Sequence, residues 1–195
     1  FLPDWEDAHG GFKAPALPAE KFEKVAVVGS GPAGMTCARD LALKGYQVTV
    51  FEKLPVAGGM LRVSIPAYRL PKDVVQKEVD QIASLGVELK VNQALGKDFT
   101  IDSLQKDGFK AVFVALGTHK ALQLQIPGEK DFPQVLDCIA FLRDVNLDRK
   151  PDYAGRKVVV VGGGNAAIDS ARTSLRLGAD VVIAYRRTVP EMPAN

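Results

Sequence analysis

A chain of 195 residues, 47% hydrophobic and 25% charged, has the make-up of an ordinary globular protein, with room for one core or for one domain and part of another. A formal net charge of +2 is too small to point to nucleic acid, and no apolar run is long enough to span a bilayer. The two cysteines, Cys37 and Cys138, stand far apart, and they read as small apolar residues in helical stretches rather than as metal ligands, a disulfide or an iron–sulfur site.

Residues 1–23 are rich in proline, glycine and charge and read as a lead-in, with "APALPAE" as a connector. "FLPDWEDAHGG" has no basic region followed by an apolar run, so no secretory signal is expected and the expected address is the cytoplasm. It also lacks an initiator Met, which reads as processing or truncation. Val25 to Val28 is a short apolar run of the kind that forms a strand buried on both faces. Met35 to Lys44 predicts a helix closed by Gly45, and Val48 to Phe51 the next buried strand. Together they predict a βαβ unit with a right-handed crossover.

Lys53 to Pro71 reads as a long connection without regular structure, a length that often carries function. Lys72 to Leu85 predicts a helix with an apolar stripe of Val74, Val75, Val79, Ile82 and Leu85, ended by Gly86. Val87 to Val91 is a strand, Thr100 to Gly108 a short helix with Thr100 as N-cap, and Ala111 to Leu116 a buried strand ending at Gly117. His119 to Pro133 is irregular, and Val135 to Val145 is amphipathic and helical. The polar stretch "NLDRKPDYAGRK" is a linker, so the boundaries expected are a lead-in over 1–23, one domain over 24–150 and the start of a second over 151–195. Val158 opens a second βαβ unit.

Each βαβ unit turns on glycines. "GSGPAG" (Gly29, Ser30, Gly31, Pro32, Ala33, Gly34) fits G-x-G-x-x-G between a strand and a helix. Gly29 allows the tight turn, Gly31 lets the backbone approach a pyrophosphate, and Gly34 lets helix and strand pack closely. The helix N-terminus then favours negative charge, and Pro32 suits its first turn. Glu52, about twenty residues on, stands at the end of the second strand, where an acid accepts from ribose hydroxyls. "GGGNAA" from Gly162 to Ala167 fits the variant ending in Ala. Here the second strand is followed by Tyr185, Arg186 and Arg187, with no acid; an arginine pair attracts a 2′-phosphate, so this unit is expected to prefer NADP(H) to NAD(H). Two such motifs suggest two cofactors, a flavin and a nicotinamide dinucleotide.

The chain resembles the pyridine-nucleotide oxidoreductase part of the glutamate synthase small-subunit family. That family is related to the flavin half of dihydropyrimidine dehydrogenase and, more distantly, to adrenodoxin reductase. The resemblance rests on the two βαβ segments with "AGGMLRVSIPAYRLPKDVV", "FVALGT", "IPGE" and "EMPAN", in that order, over most of Val25 to Asn195. It implies an α/β fold: a Rossmann-like FAD-binding domain with a parallel sheet, then the first βαβ unit of a Rossmann-like NADP(H)-binding domain. It implies that the first turn, Gly29 to Gly34, takes the FAD pyrophosphate and that Glu52, followed by Lys53, takes the adenosine ribose. Gly59, Met60 and Leu61 would lie along the flavin, and Gly117 and Thr118 where the chain returns past it. Gly163, Gly164, Asn165 and Ala166 would take the NADPH pyrophosphate, with Arg186 and Arg187 on the 2′-phosphate.

The reaction implied is hydride transfer from NADPH to flavin, then electron transfer to iron–sulfur centres in a partner domain or subunit and to a larger electron-accepting subunit. The flavin carries the chemistry, so no acid–base catalytic residue and no metal ligand is expected. No cysteine stands in "GGMLRVSIPAYR" or after Gly162, which argues against a local thiol–disulfide pair. Ser64 stands where many members have Gly before "IP". The family's iron–sulfur module is expected ahead of Phe1 and the rest of the nucleotide domain after Asn195, so the chain reads as cut short at both ends, with a sheet edge and apolar surface exposed. Two competing readings are a non-enzymatic FAD-holding or assembly module of a larger electron-transfer complex, and a small NAD(P)-binding protein that uses one motif only.

Overall fold

The computed structural model describes residues 8–19 and 21–194, so part of the lead-in expected over 1–23 lies outside the described residues. The tertiary contacts divide the chain into two units: Phe1–Arg62 with Lys72–Gly117, and Val63–Pro71 with Thr118–Asn195. The boundary expected after residue 150 falls inside the second of these.

The first unit holds four parallel strands in the order β3-β2-β1-β4. They are β1 (Lys24–Val28), β2 (Gln47–Phe51), β3 (Glu88–Lys90) and β4 (Phe109–Val114). Parallel strands need crossovers, and α1 (Pro32–Ala42) joins β1 to β2 as the apolar runs predict. After β2 come α2 (Gly59–Val63), whose last residue is counted with the second unit, and α3 (Lys72–Ala83); α4 (Ile101–Lys106) precedes β4. The central strand is buried on both faces, and its alternate residues feed two cores. Val27 packs with Met35, Ala38 and Ala42 of α1, Val48 and Val50 of β2, and Val79 and Leu85. Ala26 and Val28 pack on the opposite face with Phe51 and Leu104, where Phe99 lies 4.7 Å from the Phe51 ring.

Several expectations need correction. The connection after Lys53 is not without regular structure, because α2 forms within it. Val74 is not part of the buried stripe of α3; it is 46% exposed. The last strand of the first unit ends at Val114, and it is not buried: Phe113, Val114 and Leu116 are all exposed. An apolar run reads the same in a central strand and in an edge strand, and β4 is at the edge of its sheet.

The second unit contains α5 (Cys138–Asn146), β5 (Lys157–Val161), α6 (Asn165–Arg176) and β6 (Asp180–Ala184), and then a single 3-10 turn, Val189–Glu191. The helix predicted from Val135 starts instead at Cys138, because Asp137 caps it: its Oδ1 accepts from Ala140 N at 2.7 Å. β5 and β6 pair in parallel, and the apolar side chains Val159, Val161 and Val182 of this sheet are exposed. The segment 63–71 packs with this unit: Arg69 Nη1 lies 2.7 Å from the buried Asp169 carboxylate, and the Tyr68 ring lies under the guanidinium groups of Arg172 and Arg176. Among the described residues no helix is long and apolar enough to cross a membrane.

Candidate dinucleotide-binding turns

In the first unit, β1 runs directly into the glycine turn. Gly29 lies at φ +108°, and its N–H donates to Phe51 O of β2 at 2.8 Å. The turn lies beyond the C-terminal end of β1, between β2 and β4, the switch point at which ligands of open parallel sheets bind. A Cβ on Gly29 would stand 2.3 Å from Ala115 O, and one on Gly34 only 1.9 Å from Gly29 O. Both positions are therefore glycine for reasons internal to the chain. Gly31 is different. Its φ of −70° suits any residue, and a Cβ there would meet nothing nearer than Gly59 Cα at 4.0 Å. The chain itself gives no steric reason for glycine at that place.

Glu52 is buried, at 6% exposure. Its Oε2 accepts from Ser30 N (3.0 Å) and from Ser30 Oγ (2.6 Å), and its Oε1 accepts from Leu54 N (2.8 Å). Ser30 is fully buried and also accepts from Gly58 N, at 3.1 Å through its carbonyl and 3.2 Å through its hydroxyl. This brings the start of α2 onto the turn: a Cβ on Gly59 would lie 2.6 Å from Gly31 Cα. Met60 and Leu61 follow, half-buried, while Pro32, Ala33 and Lys53 are exposed. Gly117, at φ +66°, ends the first unit, and Thr118 is counted with the second; both are exposed. The Ser30 bridge between Glu52 and Gly58 escapes a reading of the motif alone, which assigns no job to the second residue of the turn.

In the second unit Gly162 lies at φ +133°, with its N–H on Ala184 O at 2.9 Å. Gly164 is the N-cap of α6 at φ −85°, and a Cβ there would meet nothing within 4 Å. Asn165 and Ala166 open α6 and are exposed, as are Arg186 and Arg187 beyond β6. Gly163 is crowded by Tyr185, whose ring atoms would lie 2.8 to 3.1 Å from an added Cβ.

Four of the helix starts separate into two kinds. Thr100 caps α4 by accepting from Ser103 N at 3.1 Å, and Asp137 caps α5. At α1 and α6 the N-cap is glycine and no side chain caps the helix. A Ser or Asp would hold an isolated helix better there, so the glycine turns keep backbone N–H groups at the helix start open to an outside anion.

Among the described residues, three titratable groups are displaced from their ordinary values. Burial pushes the Cys37 thiol up, helped by Asp40, and burial followed by Asp137 does the same to Cys138. Neither cysteine is disulfide-bonded, and both are poor thiolates. Lys72 is lowered to about 8, first by burial and then by Arg62, whose Nη1 donates to Lys72 O at 2.7 Å.

Two parallel βαβ units, each turning on glycines into an uncapped helix, define a Rossmann-like α/β protein. Residues 23–194 match the pyridine nucleotide-disulphide oxidoreductase family, and the chain belongs to it. It is 47% identical over 199 residues to the NADP(+)-dependent formate dehydrogenase subunit beta of Moorella thermoacetica, covering 100% of this chain and 28% of that protein. It is 35% identical to the glutamate synthase [NADPH] small chain of Escherichia coli strain K12, covering 89% of this chain and 39% of that one. The chain thus spans less than half the length of these relatives. Among solved structures, the fold is shared with Mycobacterium tuberculosis FprA in complex with NADPH, at a TM-score of 0.71 and 24% identity, over 89% of this chain and 45% of that one.

Proposed function

We propose that the chain is the FAD- and NADP(H)-binding region of a cytoplasmic oxidoreductase that takes hydride from NADPH and passes electrons to iron–sulfur centres of a partner domain or subunit. The observation that carries this reading is the pair Gly31 and Gly164. Each is glycine where neither φ nor crowding by the chain demands it, and each caps a helix that no side chain caps. A pyrophosphate approaching the backbone explains both. The names of the relatives, with NADP(+) or NADPH in them and with "subunit" or "small chain", support the nicotinamide cofactor and the larger assembly.

In this reading Gly29 to Gly34 hold the FAD pyrophosphate at the start of α1. Glu52 keeps acceptor capacity for the adenosine ribose: a carboxylate offers about four acceptor sites, and Ser30 and Leu54 supply three donors. Gly59, Met60, Leu61, Gly117 and Thr118 line the flavin. Gly163 to Ala166 hold the NADPH pyrophosphate, and the exposed Arg186 and Arg187 take its 2′-phosphate, which they can bind bidentately. Bound FAD supplies the hydride acceptor and the step from electron pairs to single electrons.

Two measurements test the reading. NADPH added anaerobically to the flavin-loaded protein is expected to bleach the flavin band; flavin binding without bleaching would favour a non-enzymatic holding module. NADPH is expected to bind more tightly than NADH, and replacing Arg186 and Arg187 by Ala is expected to remove the difference. Equal affinities in the unaltered protein would sink the 2′-phosphate assignment.

A further inference from the structure

Residues 63–71 form an arm that leaves the first unit and returns to it. Arg62 and Lys72 are counted with the first unit, and the residues between them with the second. The base of the arm is closed, because Arg62 Nη1 donates to Lys72 O at 2.7 Å. The arm continues α2, whose start is held on the first turn by the bonds from Gly58 N to Ser30. Toward its tip, Arg69 N and Leu70 N both donate to Pro66 O, at 2.9 and 3.0 Å, so the tip has a defined shape.

That tip grips α6. Arg69 Nη1 lies 2.7 Å from Asp169 Oδ2, and the Tyr68 hydroxyl donates to Asp169 O at 3.4 Å. The Tyr68 ring centroid lies 4.8 Å from the Arg172 guanidinium and 4.0 Å from that of Arg176. At the arm's start, Asn146 Nδ2 of α5 donates to Val63 O at 3.0 Å. Little on the α6 side is apolar. The buried residues of α6 are Asp169, Ser170, Ala171, Thr173 and Ser174, and among the described residues Thr173 Oγ1 is buried without a hydrogen-bond partner. Apolar residues of similar size would hold an arm at least as firmly as a buried ion pair does, and the best-attested use of such a pair is to fix register. Asp169 therefore specifies where on α6 the arm sits, and α6 is the helix that begins at the second glycine turn.

We propose that Arg69 and Asp169 are positioning residues for hydride transfer: their ion pair sets α6, and the turn at its start, in register with the arm that continues from α2. Each glycine turn holds its own cofactor, so the pair serves the transfer between them and neither binding event. The step is unchanged: the hydride leaves NADPH with its electron pair, NADPH is oxidised, and the flavin is reduced. The inference rests on the assignment of the first turn to FAD and of the second to NADP(H).

The test uses the complete protein that carries this chain, loaded with flavin. Arg69→Gln alone would strand a buried carboxylate, so the deciding variant is Arg69→Gln/Asp169→Asn, which removes both charges and keeps both shapes. Circular dichroism checks its fold, and Asp169→Asn alone is read in the same way should the double variant fail to fold. NADP+ affinity, flavin retention and amide exchange over the arm are measured beside the rate of anaerobic bleaching at saturating NADPH. In the double variant, NADP+ affinity and flavin retention are expected to stay as they are, and the arm to exchange faster. Bleaching is expected to slow about a hundredfold, the cost of misplacing the reacting groups by about 1 Å. Arg69→Lys keeps the charge and is expected to recover most of the rate. A folded variant without the charges that bleached at the unaltered rate would overturn the proposal. So would one whose NADP+ affinity fell in step with its rate, since the pair would then only shape α6. An Arg69→Lys variant as slow as the double one would also overturn it. If instead the unaltered protein bound both cofactors and did not bleach, the proposed function itself would fail, and this inference with it.

Discussion

In the first turn a buried carboxylate accepts from the backbone and hydroxyl of Ser30; in the second, at the same place in the chain, an aromatic ring lies against a bare glycine. The turn residue and the residue after the second strand are chosen as a pair. A carboxylate needs donors, and Ser30 offers two. A ring needs room, and Gly163 gives it. The helix starts differ in the same sense. Gly34 lets α1 close so tightly on Gly29 that a methyl group would stand 1.9 Å from its carbonyl, whereas the second turn carries a methyl group, that of Ala167, at the matching position. The first turn is the tighter and more polar of the two.

The largest effect should come from breaking the polar pair. Glu52→Ala strips Ser30 N, Ser30 Oγ and Leu54 N of their acceptor in a buried setting. A loss on the order of 4 kcal/mol is expected, since each stranded donor carries a desolvation penalty. Denaturant unfolding measures it. A loss below about 1 kcal/mol would show that the carboxylate does not hold the turn, and the contrast with Tyr185 would lose its energetic basis.

Next in size is the tightness of the helix start. Gly34→Ala is expected to lower stability by on the order of 3 kcal/mol, because the obstructing atom is a backbone carbonyl that cannot step aside. The reverse change in the second unit, Ala167→Gly, is expected to cost about 1 kcal/mol, the helix-propensity difference alone. Equal costs for the two would mean that the two turns are equally packed.

These contrasts also mark what the sequence could and could not disclose. The strand–turn–helix order was legible because Gly29 and Gly162 answer to local geometry, a positive φ at the end of a strand, and because the apolar runs around them have strand length. The capping of α4 by Thr100 was legible for the same reason, as donor and acceptor are three residues apart. α2 was not. Its five residues begin on Gly59 and lie in a stretch rich in Pro and Gly, and the helix start is docked by tertiary contact with the turn, through Gly58 N to Ser30 and Gly59 against Gly31. The exposure of β4 was not legible either, since "AVFVAL" carries no mark of its place at the edge of the sheet. Of the candidate site, the glycines and Glu52 could be read from spacing. The bond from Glu52 to Ser30 and the ring of Tyr185 on Gly163 join residues 22 positions apart in both cases, 52 to 30 and 185 to 163, and only the folded pair of strands brings them together.

The smallest effect on stability, and the most telling one for function, is expected at the glycines that the chain does not need. Gly31→Ala and Gly164→Ala place a methyl group where φ is ordinary and where the nearest neighbour is 4.0 Å away or absent. Each variant is therefore expected to unfold within about 1 kcal/mol of the unaltered protein, the range of an N-cap change between Gly and Ala. If a pyrophosphate lies against those Cα atoms, the same methyl groups stand in its way. Gly31→Ala should then weaken flavin retention and leave nucleotide titrations of the second turn intact, while Gly164→Ala should do the opposite, each by about tenfold, the equivalent of about 1.4 kcal/mol of binding. Paired measurements of unfolding and of ligand affinity separate the two causes. Normal stability with normal affinity in both variants would leave these glycines without a purpose and remove the main support for cofactor binding. A loss of the wrong ligand in either variant would reverse the assignment of the two turns.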